Sequence, residues 1–298
     1  MNGMRNKTIT KPLLAIIGVN FIWGFDFIAI EYMMNYMSPA MFTLTRLFVG
    51  SVILTICCFI FRKGVHINRE DRLRVFISGA IGMGIYFTVA NLGTGLTGAA
   101  FSSLIMATVP IFGMFGDRLF FGNRITPPKT ICILISIFGV YLLVSGETMG
   151  ISPVGTVAMF AAAIIWTFYI VYVKPLYSKM DLLTLLTGLF ISGFIVEIPI
   201  AGISQAVSHA AIEITPAGIL ISVGTAIICT VVGQFGYIYS IGRLSTTLVS
   251  AFENVLPLTT VIFSLIIFGT MLSGSQIAGG ILIMGSVTGI AFIEKNRR

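Results

Sequence analysis

The sequence predicts an all-α polytopic membrane protein: ten transmembrane helices arranged as two inverted five-helix repeats, with both N- and C-termini cytoplasmic. Three observations carry that expectation. Of 298 residues, 56% are hydrophobic and only 10% charged, against roughly 25% charged in a soluble globular chain. The apolar residues fall in runs of about 20, the number that crosses ~30 Å of hydrocarbon at 1.5 Å rise per residue. The basic residues gather in alternate loops, the signature that orients helices in a bilayer.

The first run, from about Pro12 to Met34, is longer than the ~7–15-residue core of a signal peptide and lacks a small-x-small cleavage site, so it is expected to stay as helix one. Cut at polar or Gly/Pro breaks, the following runs cover 39–61, 72–92, 98–121, 129–146, 152–174, 182–202, 215–241, 245–268 and 274–293. No stretch is left for a soluble domain.

Loop charge tests the division. Arg5, Lys7 and Lys11 precede helix one; Arg62, Lys63, Arg69, Arg72 and Arg74 separate two from three; Arg118, Arg124 and Lys129 separate four from five. Lys174 and Lys179, then Arg243, then Lys295, Arg297 and Arg298 complete the set. Thus 17 of the 18 basic residues fall at ends assigned to the cytoplasm, and the other five loops carry none. A miscounted helix would throw every later basic residue to the opposite side. The net charge of +7 therefore belongs to short loops, not to a basic face of a folded module, and nucleic acid is not expected as a partner. Cys57, Cys58, Cys132 and Cys229 lie in apolar runs with no CxxC and no nearby His, which indicates neither a disulfide framework nor a metal site.

An internal repeat accounts for the number ten. At an offset of 147, Gly95, Ser103, Pro110, Phe121 and Gly122 superpose without a gap on Gly242, Ser250, Pro257, Phe268 and Gly269. Helix four thereby aligns with helix nine, each with a proline kink at Pro110 or Pro257. The two tryptophans, Trp23 and Trp166, correspond at an offset of 143. The halves are 1–146 and 147–298, and because five is odd the second enters the membrane upside-down. Halves so related can exchange conformations and open one central site alternately to each side.

An ionised side chain near the bilayer centre costs at least ~2.5–3.5 kcal/mol, so charges at depth are expected to face a cavity or a partner. Asp26, Arg46, Asp117, Glu197 and Glu253 qualify. Asp26 and Arg46 both lie about 10–12 Å from the external side and could pair directly. The pair would either tie helices one and two together or line the cavity with Arg46 open to a solute carboxylate; Glu31 is a second possible partner for it. Glu253 has no basic residue in its own helix and shares a stripe with Thr246, Ser250, Pro257 and Thr260. A lone carboxylate there can carry a proton or recognise an ammonium group, or it can hydrogen-bond locally at the proline kink. Asp26 and Glu253 are the candidates for proton coupling. Asp117, beside Arg118, and Glu197, about five residues from an external helix end, read as interfacial.

Aromatic and amide residues add a second layer. Asn20, Trp23 and Phe27 make one stripe of helix one, Trp166 and Tyr169 one of helix six, and Thr230, Gln234 and Tyr237 one of helix eight. Interfacial anchors sit at helix ends, whereas Trp23 and Trp166 fall about halfway along theirs, which suits a cavity for an organic solute. The expected solute site is therefore Asn20, Trp23, Asp26, Arg46, Trp166, Tyr169, Gln234, Tyr237 and Glu253. Gly285 and Gly289 make a GxxxG in helix ten, for packing within the chain or in a homodimer. There is no GxxxxGK[ST], HExxH or GxSxG, and His66 and His209 lie in loops on opposite sides, so an enzyme is not indicated and no cofactor is expected.

With Trp23-Gly24 early in helix one, the Pro39 to Arg46 stretch opening helix two, and the run from Ala99 through Ser103 to Pro110 with its copy in helix nine, the chain resembles the drug/metabolite transporter superfamily. The likeness is to its EamA-type ten-helix exporters and covers nearly the whole length. It implies a central cavity between the halves, lined mainly by helices one, three, four, six, eight and nine. It also implies secondary active export of amino acids or related metabolites across the cytoplasmic membrane, with a small-molecule solute and the lipid bilayer as partners. Arg46 stands where that family commonly has an arginine. Two departures are visible: Gly-Glu after helices four and nine becomes Gly122-Asn123 and Gly269-Thr270, and a Lys common near the end of helix one becomes Glu31. The acidic choice favours a cationic or zwitterionic solute. A multidrug exporter shares the scaffold; a sugar-phosphate or nucleotide-sugar exchanger would want several basic residues in the cavity, where only Arg46 is available; a channel would need pore-lining rings.

Overall fold

The computed structural model describes residues 2–61, 66–109, 111–113, 115, 118, 126–145, 152–208, 215–244, 255–269 and 271–295. Among them every regular element is helical. In chain order these are α1 (Asn2–Met33), α2 (Pro39–Ile60), α3 (Arg69–Thr97), α4 (Ala99–Met106), α5 (Pro127–Ser145), α6 (Pro153–Val173, prolonged by a 3-10 turn Lys174–Ser178), α7 (Leu182–Ser208), α8 (Pro216–Ile241), α9 (Val255–Phe268) and α10 (Gly274–Lys295). Six helices among the described residues are long and apolar enough to cross a membrane: Thr10–Met33 of α1, α2, α3, α6 with its turn, α7 and α8.

The distribution of polarity is that of a protein dissolved in lipid. Phe59 is 79% exposed, Leu220 74% and Ile266 72%, whereas Asn20, Asn91, Glu197 and Gln234 are fully buried. A rim this apolar around an interior this polar is stable against hydrocarbon and not against water.

Local sequence sets the helix starts. Ser38, Ser152 and Thr215 each precede a proline at the first helical position, and each side chain accepts the N–H three residues on, from Met41, Gly155 and Gly218 at 3.3, 3.3 and 3.0 Å. Asp181 caps α7 through Thr184 N–H. Before α10, Ser273 and Gln276 cap reciprocally, each side chain accepting the other's backbone N–H. The turn from α3 to α4 passes through Gly98, whose φ of +83° suits glycine. The next residue, Ala99, donates its N–H to Glu31 Oε2 at 2.6 Å. Glu31 therefore caps α4 rather than pairing with Arg46: a carboxylate is drawn to the unsatisfied N–H groups and positive end of a helix.

Both α3 and α8 carry a π-helical segment, Ala80–Ile85 and Ala226–Val232. These lie 146 to 147 residues apart, the spacing at which α4 aligns with α9 in sequence. α3 packs against α6 and α7, α1 against α8 and α9, α2 against α7, and α5 against α10. On the last seam, a Cβ at Gly139 would stand 2.8 Å from Gly279 O, and one at Gly289 3.2 Å from Cys132 Sγ, so Gly289 of the GxxxG packs within the chain; Gly285 has nothing within 4 Å.

α7 runs to Ser208, beyond the expected end at 202, because Pro199 and Gly202 are tolerated in a helix supported by its neighbours. α3 is likewise longer than expected at both ends. Pro257 falls in the first described turn of α9. Pro110, Asp117, His209 and 245–254, including Glu253, lie outside the described residues.

Candidate functional site

A cavity of about 60 Å³ lies where α1, α3, α4, α6, α8 and α9 meet. At roughly 10–15 Å³ per water counted this way, it holds about four to six waters. α1 supplies Asn20, Trp23, Asp26, Phe27 and Ile30, of which 20, 23, 27 and 30 repeat at helical spacing along one face. Tyr86, Phe87 and Ala90 come from α3, Met106 and Val109 from the α4 segment, Trp166 from α6, Gln234 from α8 and Leu256 from α9.

Aromatic rings form its wall. Trp23 meets Trp166 edge to face at 5.9 Å, and Trp166 lies tilted against Tyr86 at 4.6 Å. Tyr237 lies 5.1 Å from Trp23 and 5.5 Å from Trp166, and Tyr169 lies 5.0 Å from Trp166. Tyr169 and Tyr237 do not line the cavity as the sequence suggests; both are buried one layer behind, holding the rings that do.

The neighbouring glycines explain how the rings fit. A Cβ at Gly82 would be 2.1 Å from the Tyr169 ring, and one at Gly233 would be 2.5 Å from Trp23 Nε1. Trp23 Nε1–H donates to Cys229 O at 3.0 Å. Cys229 lies inside the π-helical segment of α8, where the widened turn leaves carbonyls for side chains to take up. Gly24, the other half of the Trp-Gly pair, lets α9 approach: a Cβ there would be 2.1 Å from Thr259 Oγ1, which donates to Asn20 O at 3.1 Å.

Arg46 donates from Nη2 to Asp26 Oδ2 at 2.7 Å and from Nε to Thr230 Oγ1 at 2.7 Å. Its guanidinium lies 5.3 Å from the Phe42 ring and 5.2 Å from the Phe87 ring. The ion pair ties α1 to α2, and Thr230 adds α8 to the knot; Arg46 is not among the residues that line the cavity. Asp26 does. Among the described residues Asp26 Oδ1, Asn20 Oδ1 and both amide atoms of Gln234 are buried without a hydrogen-bond partner. The cavity therefore offers three oxygen acceptors, one of them a carboxylate, and one amide donor, inside aromatic walls.

Several contributors escape a sequence reading. Tyr86, Phe87 and Ala90 follow the π-helical segment of α3, whose extra residue rotates everything after it by about 100° and breaks the apolar period. Asn91, buried beside them, donates to Thr43 Oγ1 at 2.9 Å and fixes α3 to α2. Glu197, expected at the interface, is fully buried and accepts from Thr88 Oγ1 at 2.5 Å. With α7 ending at Ser208, Glu197 lies eleven residues, ~16 Å, from that end, too deep to snorkel. Among the described residues no cluster of His, Cys, Asp or Glu could hold a metal.

Known proteins resemble this chain over nearly its whole length. The pattern of the EamA-like transporter family matches residues 10–145 and again 153–292. An uncharacterized transporter of Archaeoglobus fulgidus is 24% identical over 276 residues, covering 92% of this chain and 96% of the relative. A probable amino-acid metabolite efflux pump of Escherichia coli (strain K12) is 25% identical over 289 residues, 94% of this chain and 93% of the pump. One crystal structure superposes with a TM-score of 0.70 over 98% of this chain and 99% of its own, at 15% identity, a likeness of fold.

Proposed function

The chain belongs to the EamA-like transporter family, and from that premise we propose that it is a secondary active transporter exporting amino acids or related small metabolites by alternating access. The observation that carries the solute class is the cavity: aromatic faces of Trp23, Tyr86 and Trp166 around the unpartnered oxygens of Asp26 and Asn20 and the free amide of Gln234. An ammonium group is attracted both to a carboxylate oxygen and to ring faces, so the Asp26 end suits the amino group of a zwitterion, leaving Gln234 Nε2 to donate to its carboxylate. In this reading Asp26 Oδ1 serves the solute while Oδ2 stays on Arg46. The efflux pump of Escherichia coli supports the same class.

The arrangement we infer is ten membrane-spanning helices in two inverted halves, 1–146 and 147–298, in the cytoplasmic membrane. Both termini are cytoplasmic, as the loop charges favour. A cavity that holds about four to six waters has room for only the smallest amino acids, so a larger solute requires the surrounding rings to move apart, a movement that alternating access would supply. Coupling to protons through Asp26 and Glu253 belongs to this proposal. A sugar-phosphate substrate is disfavoured because no basic residue lines the cavity: Arg46 lies outside it and binds Asp26 and Thr230 through Nη2 and Nε.

Counterflow in proteoliposomes tests the reading. Vesicles preloaded with one unlabelled amino acid should take up its labelled form saturably. Passive conductance in its place, or no amino acid showing counterflow, would refute it.

A further inference from the structure

Glu197 is a carboxylate at membrane depth that the solute site does not use. It projects from α7, in the second sequence half, onto α3 of the first. One oxygen accepts from Thr88; the other, Oε2, is buried with no partner among the described residues. A Cβ on Gly84 would stand 3.4 Å from both Oε2 and Gly193 O, so glycines of α3 and α7 lie against this carboxylate. Gly84 belongs to the π-helical segment of α3.

No described cation reaches this carboxylate. On α2, Phe48 and Gly50 face the adjoining turns of α7 through Phe194 and Phe190, and Arg46, the one charged residue of α2, is engaged by Asp26 and Thr230. On α3, Tyr86 turns to Trp166, and Arg69, Glu70, Asp71, Arg72 and Arg74 all lie ten or more residues before Gly84, with Asp71 bound to Lys179. The last turns of α8, which touch α7, carry Tyr237, tilted against both tryptophans, and Tyr239, beneath Arg243. The thiol of Cys58 bonds Thr187, ten residues and ~15 Å along α7 from Glu197, and does not reach it. A permanently ionised carboxylate in such surroundings has no counter-charge, and burying one is costly.

We propose that Glu197 is an intramembrane proton-binding site that couples proton movement to solute export. The proposal rests on the transport reading above and names a group that reading does not contain. The step is one proton taken up onto the carboxylate from one aqueous side and released from the resulting carboxyl to the other. Its mechanical consequence follows from Thr88. A hydroxyl bonded to an ionised carboxylate is held about twice as strongly as one bonded to a neutral group. Protonation therefore loosens α3 from α7, and Thr88 is the neighbour of Phe87, a wall of the cavity.

Infrared spectroscopy of the full-length protein in lipid, titrated with pH, should show a protonated-carboxyl band that is absent from E197Q and restored in E197D. In vesicles, amino-acid uptake driven by an imposed proton gradient should fall in E197Q to the level without a gradient, while counterflow, which moves no net proton, continues. A band unchanged in E197Q, or gradient-driven uptake equal to that of the unaltered chain, overturns the proposal. If E197Q does not fold, T88V replaces it: loss of the hydroxyl should displace the pH midpoint of the band, and an unchanged midpoint overturns the proposal equally. Absence of counterflow in the unaltered chain would sink the transport reading and the coupling with it, and the infrared titration would still decide whether Glu197 binds a proton.

Discussion

Trp23 Nε1–H donates to the carbonyl of Cys229 across 3.0 Å, so a side chain of the first half closes a main-chain vacancy opened by the π-helical turn of the second. W23F keeps an aromatic ring, smaller than the indole, but strands that carbonyl. The expected loss is about 1–3 kcal/mol, read as a lower midpoint of thermal unfolding in detergent. W23A should lose more, because the ring's contacts to Trp166 and Tyr237 go with it.

Arg46 and Asp26 are both buried, so removing one leaves the other charge uncompensated. R46A should destabilise by about 3–5 kcal/mol, and the double variant R46M/D26L should recover much of that loss in stability. R46K should not rescue, since an ammonium cannot make the two separate bonds to Asp26 and Thr230 with the same fork. Thermal unfolding of the four proteins checks this; equal destabilisation in the single and double variants would count against a paired knot.

At Gly82 an added methyl would collide with the Tyr169 ring, and at Gly18 it would meet nothing within 4 Å. G82A should cost about 1–3 kcal/mol and weaken counterflow by tilting the ring that backs Trp166. G18A, in the interior of α1, should be neutral or stabilising by up to about 1 kcal/mol.

E31A removes the side chain that caps α4 and should cost about 0.5–2 kcal/mol. E31Q keeps an acceptor for Ala99 N–H and should cost less. G98A should be destabilising by about 1–2 kcal/mol for a different reason, the left-handed backbone at that residue. Hydrogen exchange at the start of α4 separates the two: loss of the cap should speed exchange of the Ala99 amide in E31A.

How much of this was legible in the sequence depends on how far each signal travels along the chain. The starts of α2, α7 and α10 at 39, 182 and 274 agree with expectation because Ser38-Pro39, Asp181 and the Ser273–Gln276 box act within one turn. The Asp26–Arg46 contact was legible because two opposite charges at equal depth on successive helices have few other partners. The α3 wall of the cavity was not, because a π-helical turn shifts the phase of Tyr86 and Phe87 without altering composition. The depth of Glu197 was misjudged by placing the end of α7 at Gly202, since proline and glycine end helices in water but are carried through them in lipid. The distinction between Trp166 and the buried Tyr169 behind it requires knowing which helix stands across from α6, which local sequence does not encode.

The pairing of α2 with α7, α3 with α6 and α5 with α10 bears on how the protein is made. The ribosome delivers α1 to α5 before any of their partners from α6 onward exist. During that interval Asp26 and Arg46, only twenty residues apart, can neutralise one another, whereas Thr230, the second ligand of Arg46, arrives later with α8. The buried pair thus serves first as a passport for two charges into hydrocarbon and only afterwards as a joint between finished helices. A chain that lost Arg46 would meet a first difficulty at insertion, in addition to the loss of stability in its folded state.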